Sequence, residues 1–471
     1  MSENASLLRP RNILIAILAL IAAGWIYFSN SEEAQRGAKL RAAEIAGDVA
    51  TRVIASRAGN GGGAAADFIS IPIEVRKLGE YIYQARGVGN THVIATSAGH
   101  VVYDTGMATQ AAKQRRLMAE ALPKGKITHV ILSHSHQDHA GGTPFWVEDG
   151  TEIVAHQEYP EEQRYLKELE DYLWFRNRTL FPFMPEDPPK TGMFAYGGVV
   201  PTRLVDQPDV YRFEQGGVRF EVLPTPGAEG ADNLVLWLPD EKILFSGDFF
   251  GPNFPQFPNV FTMRGEKVRK PIEYIQSLET LITLEPEMVV PSHQDPIEGK
   301  AQIKADLIKM RDAVRYVHDA TIAGMNAGKT VHELMEEIQL PPELALTQIH
   351  GRVSWAVKSI WEYYATWFHF DTTTELYSVP TSRMHPEIAS LAGTAALAEA
   401  AARHVEAGRN VEAIHLLDIA LAGDPSHVAG LNTRLAALAN LLAEAEATFQ
   451  NSYEMDWLKY RIRITKEALG E

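Results

Sequence analysis

The chain has 471 residues, 45% of them hydrophobic and 22% charged, which is long enough for two or three domains with proper cores and too apolar for global disorder. A formal net charge of -16 repels phosphate backbones and argues against a nucleic-acid partner. There is no cysteine, so disulfides, thiolate catalysis and cysteine-held zinc are excluded, and any metal must be bound by His, Asp and Glu.

Ile13 to Phe28 is apolar apart from Gly24, with Arg9 and Arg11 before it and Trp25 and Tyr27 near its far end. This pattern predicts an N-terminal transmembrane helix whose Arg-flanked end stays in the cytoplasm. The expected location is then a bacterial-type inner membrane, with residues 1–30 as anchor and the folded part on the periplasmic side. A cleaved signal peptide releasing the protein to the periplasm is the alternative, and a buried core helix a third reading. Bulky Trp25 to Phe28 stand where a cleavage site would need small residues. Residues 31–67 read as a polar helix, Ser31 to Arg57, followed by the Gly-rich linker Gly59 to Ala66.

From 68 to 300 the pattern is mixed α/β. His92 to Asp104 reads as two strands joined by a Gly turn, Ala111 to Leu122 as a helix, and Ile127 to Leu132 as a short strand. Further strands are expected at Val218 to Leu223, Leu234 to Leu238, Lys242 to Phe245 and Met288 to Val290. From 301 to 471 the pattern is helical: Lys304 to Ala327, Thr330 to Ile338, the aromatic-rich Val353 to Phe368, and Thr394 to Glu446. Ser378 to His385 reads as a linker. Gly408, Ala413 to Ala422 and Asp424-Pro425 resemble one tetratricopeptide-type hairpin.

The chemistry is concentrated in Ser133-His134-Ser135-His136-Gln137-Asp138-His139, directly after a buried strand. Alternation lets His134 and His136 reach one metal, while Asp138 and His139 turn toward a second. This is nitrogen and oxygen ligation, suited to zinc and tolerant of iron or manganese. Gly141 and Gly142 let backbone pack close beneath the cluster. Asp248 follows a strand and can bridge both metals; His293 follows another and can cap the second. In isolation each reads equally well as a turn Asp or a surface His.

These residues, with Tyr103-Asp104-Thr105-Gly106, resemble the metallo-β-lactamase superfamily, which implies an αββα sandwich, two Zn2+ and hydrolase chemistry. Most members supply a further His after a Thr-Pro-Gly. Here that loop, Thr225 to Asn233, has none, and Glu229 or Asp232 must fill the gap. A carboxylate at this point resembles the alkyl sulfatase branch, whose metal-binding Glu falls at Glu229 and whose bridging Glu falls at Asp248. Asn259-Val-Phe-Thr-Met-Arg264-Gly265 is similar to another segment of that branch. Arg311 to Asp319, Ile338 to Leu344 and Gly351 to Phe368 resemble its dimerisation domain. The family's C-terminal lipid-carrier-like domain has no counterpart before Glu471.

The resemblance implies hydrolysis of alkyl or aryl sulfate esters, with Asp138 and Asp248 as catalytic carboxylates. Arg264 is the implied sulfate clamp, with Asn259 and Arg269 as further substrate contacts and Arg176 and Arg178 as weaker ones. The expected partners are a small-molecule ester and a second copy of the chain. Trp355, Trp361, Tyr363, Tyr364, Trp367 and Phe368 are the candidate anchors of that homodimer. Phe249, Phe250, Phe254 and Phe257 line either an apolar pocket or the core. A lactone, thioester or phosphoester substrate is the second reading. An anchored interaction scaffold with a vestigial site is the third.

Overall fold

The computed structural model describes residues 32–59, 71–181, 184–190, 195, 197–227, 229–260 and 262–471. The chain opens with helix α1 (Glu32–Gly59) and continues through β1 (Val75–Lys77), β2 (Ile82–Ala85), β3 (Thr91–Thr96), β4 (Gly99–Tyr103) and α2 (Ala108–Ala121). Next come β5 (Ile127–Ile131), β6 (Glu152–His156), α3 (Tyr159–Glu168), α4 (Glu170–Leu180) and β7 (Arg203–Val205). These seven strands form one sheet in sequential order, antiparallel from β1 to β4 and parallel from β4 to β7. A second sheet is built from β8 (Tyr211–Gln215), β9 (Val218–Pro224), β10 (Leu234–Leu238), β11 (Ile243–Gly247), β12 (Met288–Pro291) and β13 (Ile297–Glu298). Helix α5 (Pro271–Leu284) provides the crossover between parallel β11 and β12.

Period-two patterning explains the stacking. On β10, Leu234, Leu236 and Leu238 face the first sheet, joining Ile94, Val101, Tyr103 and Ile131. Val235 and Trp237 point the opposite way, into the helices behind. On the first sheet Val102, Val130 and Leu132 likewise turn outward to meet Met118 of α2 and Trp146. Both faces of each sheet are therefore covered, and strands such as β10 read as continuous apolar runs rather than alternating ones. The result is the expected αββα sandwich.

The outer face of the second sheet is covered by α5 together with α6 (Lys300–Asn326), α7 (Val331–Glu337) and α8 (Val353–Ala365). Phe249, Phe250 and Phe257 belong to this core, and Phe254 and Trp361 pack against it. Five further helices follow: α9 (His385–Ala392), α10 (Thr394–Glu406), α11 (Asn410–Gly423), α12 (Val428–Ala447) and α13 (Ser452–Leu469). The segment read as a linker is a short 3-10 turn, Thr381–Met384, feeding α9. Helix α1 lies on α2, tied by Arg116 to Glu44 (2.9 Å) and Lys113 to Asp48 (3.4 Å).

The expected transmembrane helix requires correction. Among the described residues no helix is long and apolar enough to cross a membrane. The long N-terminal helix that is described, α1, carries Arg36, Lys39, Arg41, Glu44 and Asp48 and is held by ion pairs to the sandwich. The Ile13 to Phe28 run and the Gly-rich linker lie outside the described residues. A membrane partner loses its support with the helix.

Gly142 shows how tightly the backbone packs beneath the His cluster. A Cβ there would lie 2.1 Å from the Thr105 carbonyl oxygen and 2.4 Å from Ala111 Cβ. Gly142→Ala therefore forces the segment apart, at a cost of about 1–3 kcal/mol. A lowered midpoint in urea denaturation is expected; an unchanged midpoint would contradict this packing.

Candidate metal centre

Strands β4, β5, β11 and β12 end at the same edge of the sandwich, and the polar residues follow immediately after each. Asp104 comes after β4, at a left-handed φ of 57° that L residues adopt only under constraint. Its fully buried carboxylate accepts from the Ser133 backbone N–H (2.8 Å), Ser133 Oγ (2.8 Å) and Ser292 Oγ (3.1 Å). It also lies 2.9 Å from His139 Nδ1. One side chain thus joins loops from both sheets.

Around it the donors form two groups. His134 Nε2 lies 2.8 Å from His136 Nδ1, and Glu229 Oε1 is 3.8 Å from that same Nδ1. In the second group the ligating atoms of Asp138, His139, Asp248 and His293 lie within 4.8 Å of one another. His139 Nε2 is 3.3 Å from both Asp138 Oδ2 and Asp248 Oδ2. His293 Nε2 is 3.4 Å from Asp138 Oδ2 and 3.0 Å from Asp248 Oδ2. His139 and His293 are 5.3 Å apart between ring centroids, and His134 and His139 are 4.4 Å apart, so the two groups share a border.

The tautomers suit ligation. Nδ1 of His139 faces Asp104 and Nδ1 of His293 lies 2.5 Å from the Val88 carbonyl oxygen, leaving each Nε2 facing the carboxylates. Asp248 Oδ1 is buried with no hydrogen-bond partner among the described residues, and His139 Nε2 meets only the two carboxylates 3.3 Å away. Orphaned buried donors and acceptors of this kind are expensive unless something else satisfies them, and a cation between them does so. Burial opposes charge on His139, yet Asp138, Asp248 and Asp104 hold its pKa well above the usual histidine value. Burial likewise opposes ionisation of Asp248, but His293 and His139 hold it well below the carboxylate range. The pocket is arranged to keep anions ionised, as a divalent metal requires.

Glu229 and Asp232 are placed differently. Glu229 is gripped by Arg269 through two bonds of 2.9 and 3.0 Å and by Arg264 Nη2 at 3.1 Å. Asp232 is buried with one oxygen unpartnered, and burial pushes its carboxyl up to about 7. A group that keeps its proton near neutrality is the poorer ligand. Of the substrate-contact residues, Arg269 is committed to Glu229, Glu266 and the Asn259 carbonyl. Arg264 is the more open of the two arginines. Asn259 is buried with both amide atoms unpartnered among the described residues. Arg176 instead holds the Met263 and Arg264 carbonyls (2.8 and 3.1 Å), and Arg178 donates to the Glu186 carbonyl.

Several participants escape sequence reasoning. Asp104 is visible as a motif, but its bonds to Ser133, His139 and Ser292 require the folded edge. Glu266 has no sequence signal; its carboxylate lies 3.4 Å from His136 Nε2 and 3.1 Å from Arg264 Nη2. His350 packs against the turn after Asp248, its Cδ2 3.5 Å from a Cβ built on Gly251, and its ring meets that of Tyr453 at 5.1 Å between centroids, tilted by 42°. Burial pushes the His350 imidazole down to about 4 and the Tyr453 hydroxyl up to about 12. Both come from the helical half of the chain.

An αββα sandwich with His, Asp and Glu converging at one edge defines a divalent-metal site of the metallo-β-lactamase type. Residues 85–293 match the profile of the Metallo-beta-lactamase superfamily, and residues 330–461 match that of Alkyl sulfatase dimerisation. Residues 85–293 are thus a metallo-β-lactamase superfamily domain, and residues 330–461 an alkyl sulfatase dimerisation domain. The chain is 28% identical to a linear primary-alkylsulfatase of Pseudomonas sp. over 64% of this chain and 60% of that one. It is 23% identical to the alkyl/aryl-sulfatase of Saccharomyces cerevisiae over 83% and 64%. The chain thus spans less than two thirds of the length of these curated relatives. A stereoselective inverting sec-alkylsulfatase from Pseudomonas sp. shares the fold, with a TM-score of 0.71, 20% identity, and coverage of 85% of this chain and 67% of that one.

The protonation of Asp232 gives a pH test. Its folded pKa of about 7 stands above the ordinary carboxylate value of 3.8, so between those limits the folded state holds a proton that the unfolded state has released. Its contribution to stability is full below pH 3.8 and is lost as pH rises through about 7. Asp232→Asn should therefore raise the melting temperature more at pH 8 than at pH 5. An equal shift at both would place the residue in a different electrostatic setting.

Proposed function

We propose that this protein is a dinuclear-metal-dependent hydrolase that cleaves sulfate monoesters of alkyl or aryl alcohols, with two Zn2+ as the resident ions. The observation that carries the reading is the convergence of seven donor groups from four separate segments on one sandwich edge. His134 Nε2, His136 Nδ1 and Glu229 Oε1 would hold one ion. Asp138, His139 and His293 would hold the other, with Asp248 between the two positions. When bound, such a pair supplies Lewis acidity and a water acidified toward neutral pH.

The chain's own residues supply the rest. Asp138 and Asp248, each within 3.4 Å of both His139 and His293, keep their negative charge in a buried site and fix the second position. Arg269 orients Glu229, and Arg264, the more open guanidinium, is placed to meet a tetrahedral oxyanion with its planar fork. Asn259 offers an unpaired amide to an ester oxygen. His350 and Tyr453 supply a polar wall from the helical half. The names of the two curated relatives above, an alkylsulfatase and an alkyl/aryl-sulfatase, support the substrate class.

A second reading keeps the metals and changes the ester to a lactone, thioester or phosphoester. It draws on the pairing of Arg264 with both Glu229 and Glu266, at 3.1 Å each, which leaves the guanidinium with little surplus positive charge for an anionic substrate.

The purified protein should carry about two zinc ions, and sulfate release from a panel of alkyl and aryl esters should stop on full chelation. Glu229→Ala should lose one equivalent by elemental analysis, whereas Asp232→Ala should retain both. Turnover that survives complete metal removal ends the proposal. Preference for a lactone or thioester in the same panel would select the second reading.

We also read the helical half as a homodimer surface. In the last turn of α8 and just beyond it, Tyr363, Tyr364, Trp367 and Phe370 are exposed, the last two by 70% and 86%. Contiguous exposed aromatics mark interaction sites. Light scattering should report a dimer, and Trp367→Asp should weaken it at least tenfold without changing the melting profile of the monomer. A monomeric wild-type protein would remove this part of the reading.

A further inference from the structure

Each of the four imidazoles at the centre has one nitrogen turned toward the metal positions and a second nitrogen turned away. For three of them the outward partner is local or already visible. His134 Nδ1 lies 2.9 Å from Ser133 Oγ, His139 Nδ1 lies 2.9 Å from Asp104 Oδ2, and His293 Nδ1 lies 2.5 Å from the Val88 carbonyl oxygen. His136 is reversed. Its Nδ1 faces His134 and Glu229, so Nε2 points outward, and there it meets Glu266 Oε1 at 3.4 Å.

Glu266 is held for that role. It is buried, with Arg264 Nη2 3.1 Å from Oε1 and Arg269 Nη2 3.1 Å from Oε2. The same two guanidiniums grip Glu229. Two carboxylates and two guanidiniums therefore form a closed ring, in which Glu229 faces one nitrogen of His136 and Glu266 faces the other. A fixed anion at an imidazole N–H selects the tautomer and raises the basicity of the opposite nitrogen. Asp104 stands in this relation to His139 in the second donor group. Nothing else among the described residues stands in this relation to His136.

We infer that Glu266 is a positioning residue that orients His136 and fixes its tautomer for the first metal position, as Asp104 does for His139 at the second. The inference rests on the dinuclear reading above. It assigns the two donor groups separate supporting carboxylates, so each position should be weakened independently of the other. Glu266 acts through His136 and touches neither metal nor substrate.

The test is a zinc titration of the full-length metal-free protein against a chromophoric chelator of known affinity. Wild type should bind two equivalents. In Glu266→Ala one equivalent should weaken by roughly 10- to 100-fold while the other keeps its affinity. Glu266→Gln retains an oxygen that can accept from Nε2–H and should recover most of the loss. Melting curves of the metal-free variants, compared with wild type, separate this from general damage, and Glu266→Gln keeps the question open to test if Glu266→Ala fails to fold. Two unchanged equivalents in a folded Glu266→Ala would overturn the inference and leave the dinuclear reading intact. Both equivalents weakening together would overturn the independence of the two positions. Wild-type protein that binds no zinc would overturn the dinuclear reading itself, and the inference with it.

Discussion

The Asp104 carboxylate is the tie on which the rest of the site depends. It sits at the end of β4 in a backbone conformation that L residues rarely adopt, and it accepts hydrogen bonds from the ends of β5 and β12. Those strands belong to different sheets. The bonds therefore set the distance between the two edges that carry the metal-ligating side chains. They also orient His139, whose other nitrogen opens the second donor group. A buried anion is costly to place and is stable only while its full set of donors is present. The fold supplies that set by placing Ser133 and Ser292 directly after the two strands. Packing of the aliphatic residues between the sheets brings the edges together, and Asp104 fixes their register.

Charge is arranged around that tie in alternating shells. Imidazoles and carboxylates face one another at the centre, while Arg264 and Arg269 sit behind Glu229 and Glu266. The arginines are mostly or fully buried and spend their hydrogen bonds on protein carboxylates. A guanidinium committed in this way serves first as scaffold and only secondarily as a clamp. Arg264 is the more open of the two.

Much of this was legible in the residues alone. The strands at 91–96, 99–103, 127–131, 234–238 and 288–291 announce themselves by short apolar runs bounded by turns. The His134–His139 cluster announces itself by density. Elements that carry no such pattern were invisible: β7 and β8 are largely exposed, β13 is two residues long, and α3 and α4 are heavily charged. The expectation of a membrane helix rested on hydropathy and on the flanking arginines and aromatics, and the described helices offer it no support. The choice between Glu229 and Asp232 could be narrowed from sequence only by resemblance, because both lie in one turn. Tertiary contact separates them, since the arginines that grip Glu229 come from 35 and 40 residues downstream. Glu266 was missed for the same reason: its partner His136 lies on a distant segment.

Helix α8 has two different surroundings at its two ends. It begins directly after His350, Gly351 and Arg352, where Gly351 leaves no room for a side chain against the Pro258 carbonyl and Arg352 pairs with Glu454 of the last helix. It ends thirteen residues later beside exposed Trp367 and Phe370. A helix of that length is a stiff rod of roughly 20 Å. Force applied at its aromatic end is delivered to the turn at His350 with little loss, so the exposed aromatics and that turn behave mechanically as one lever.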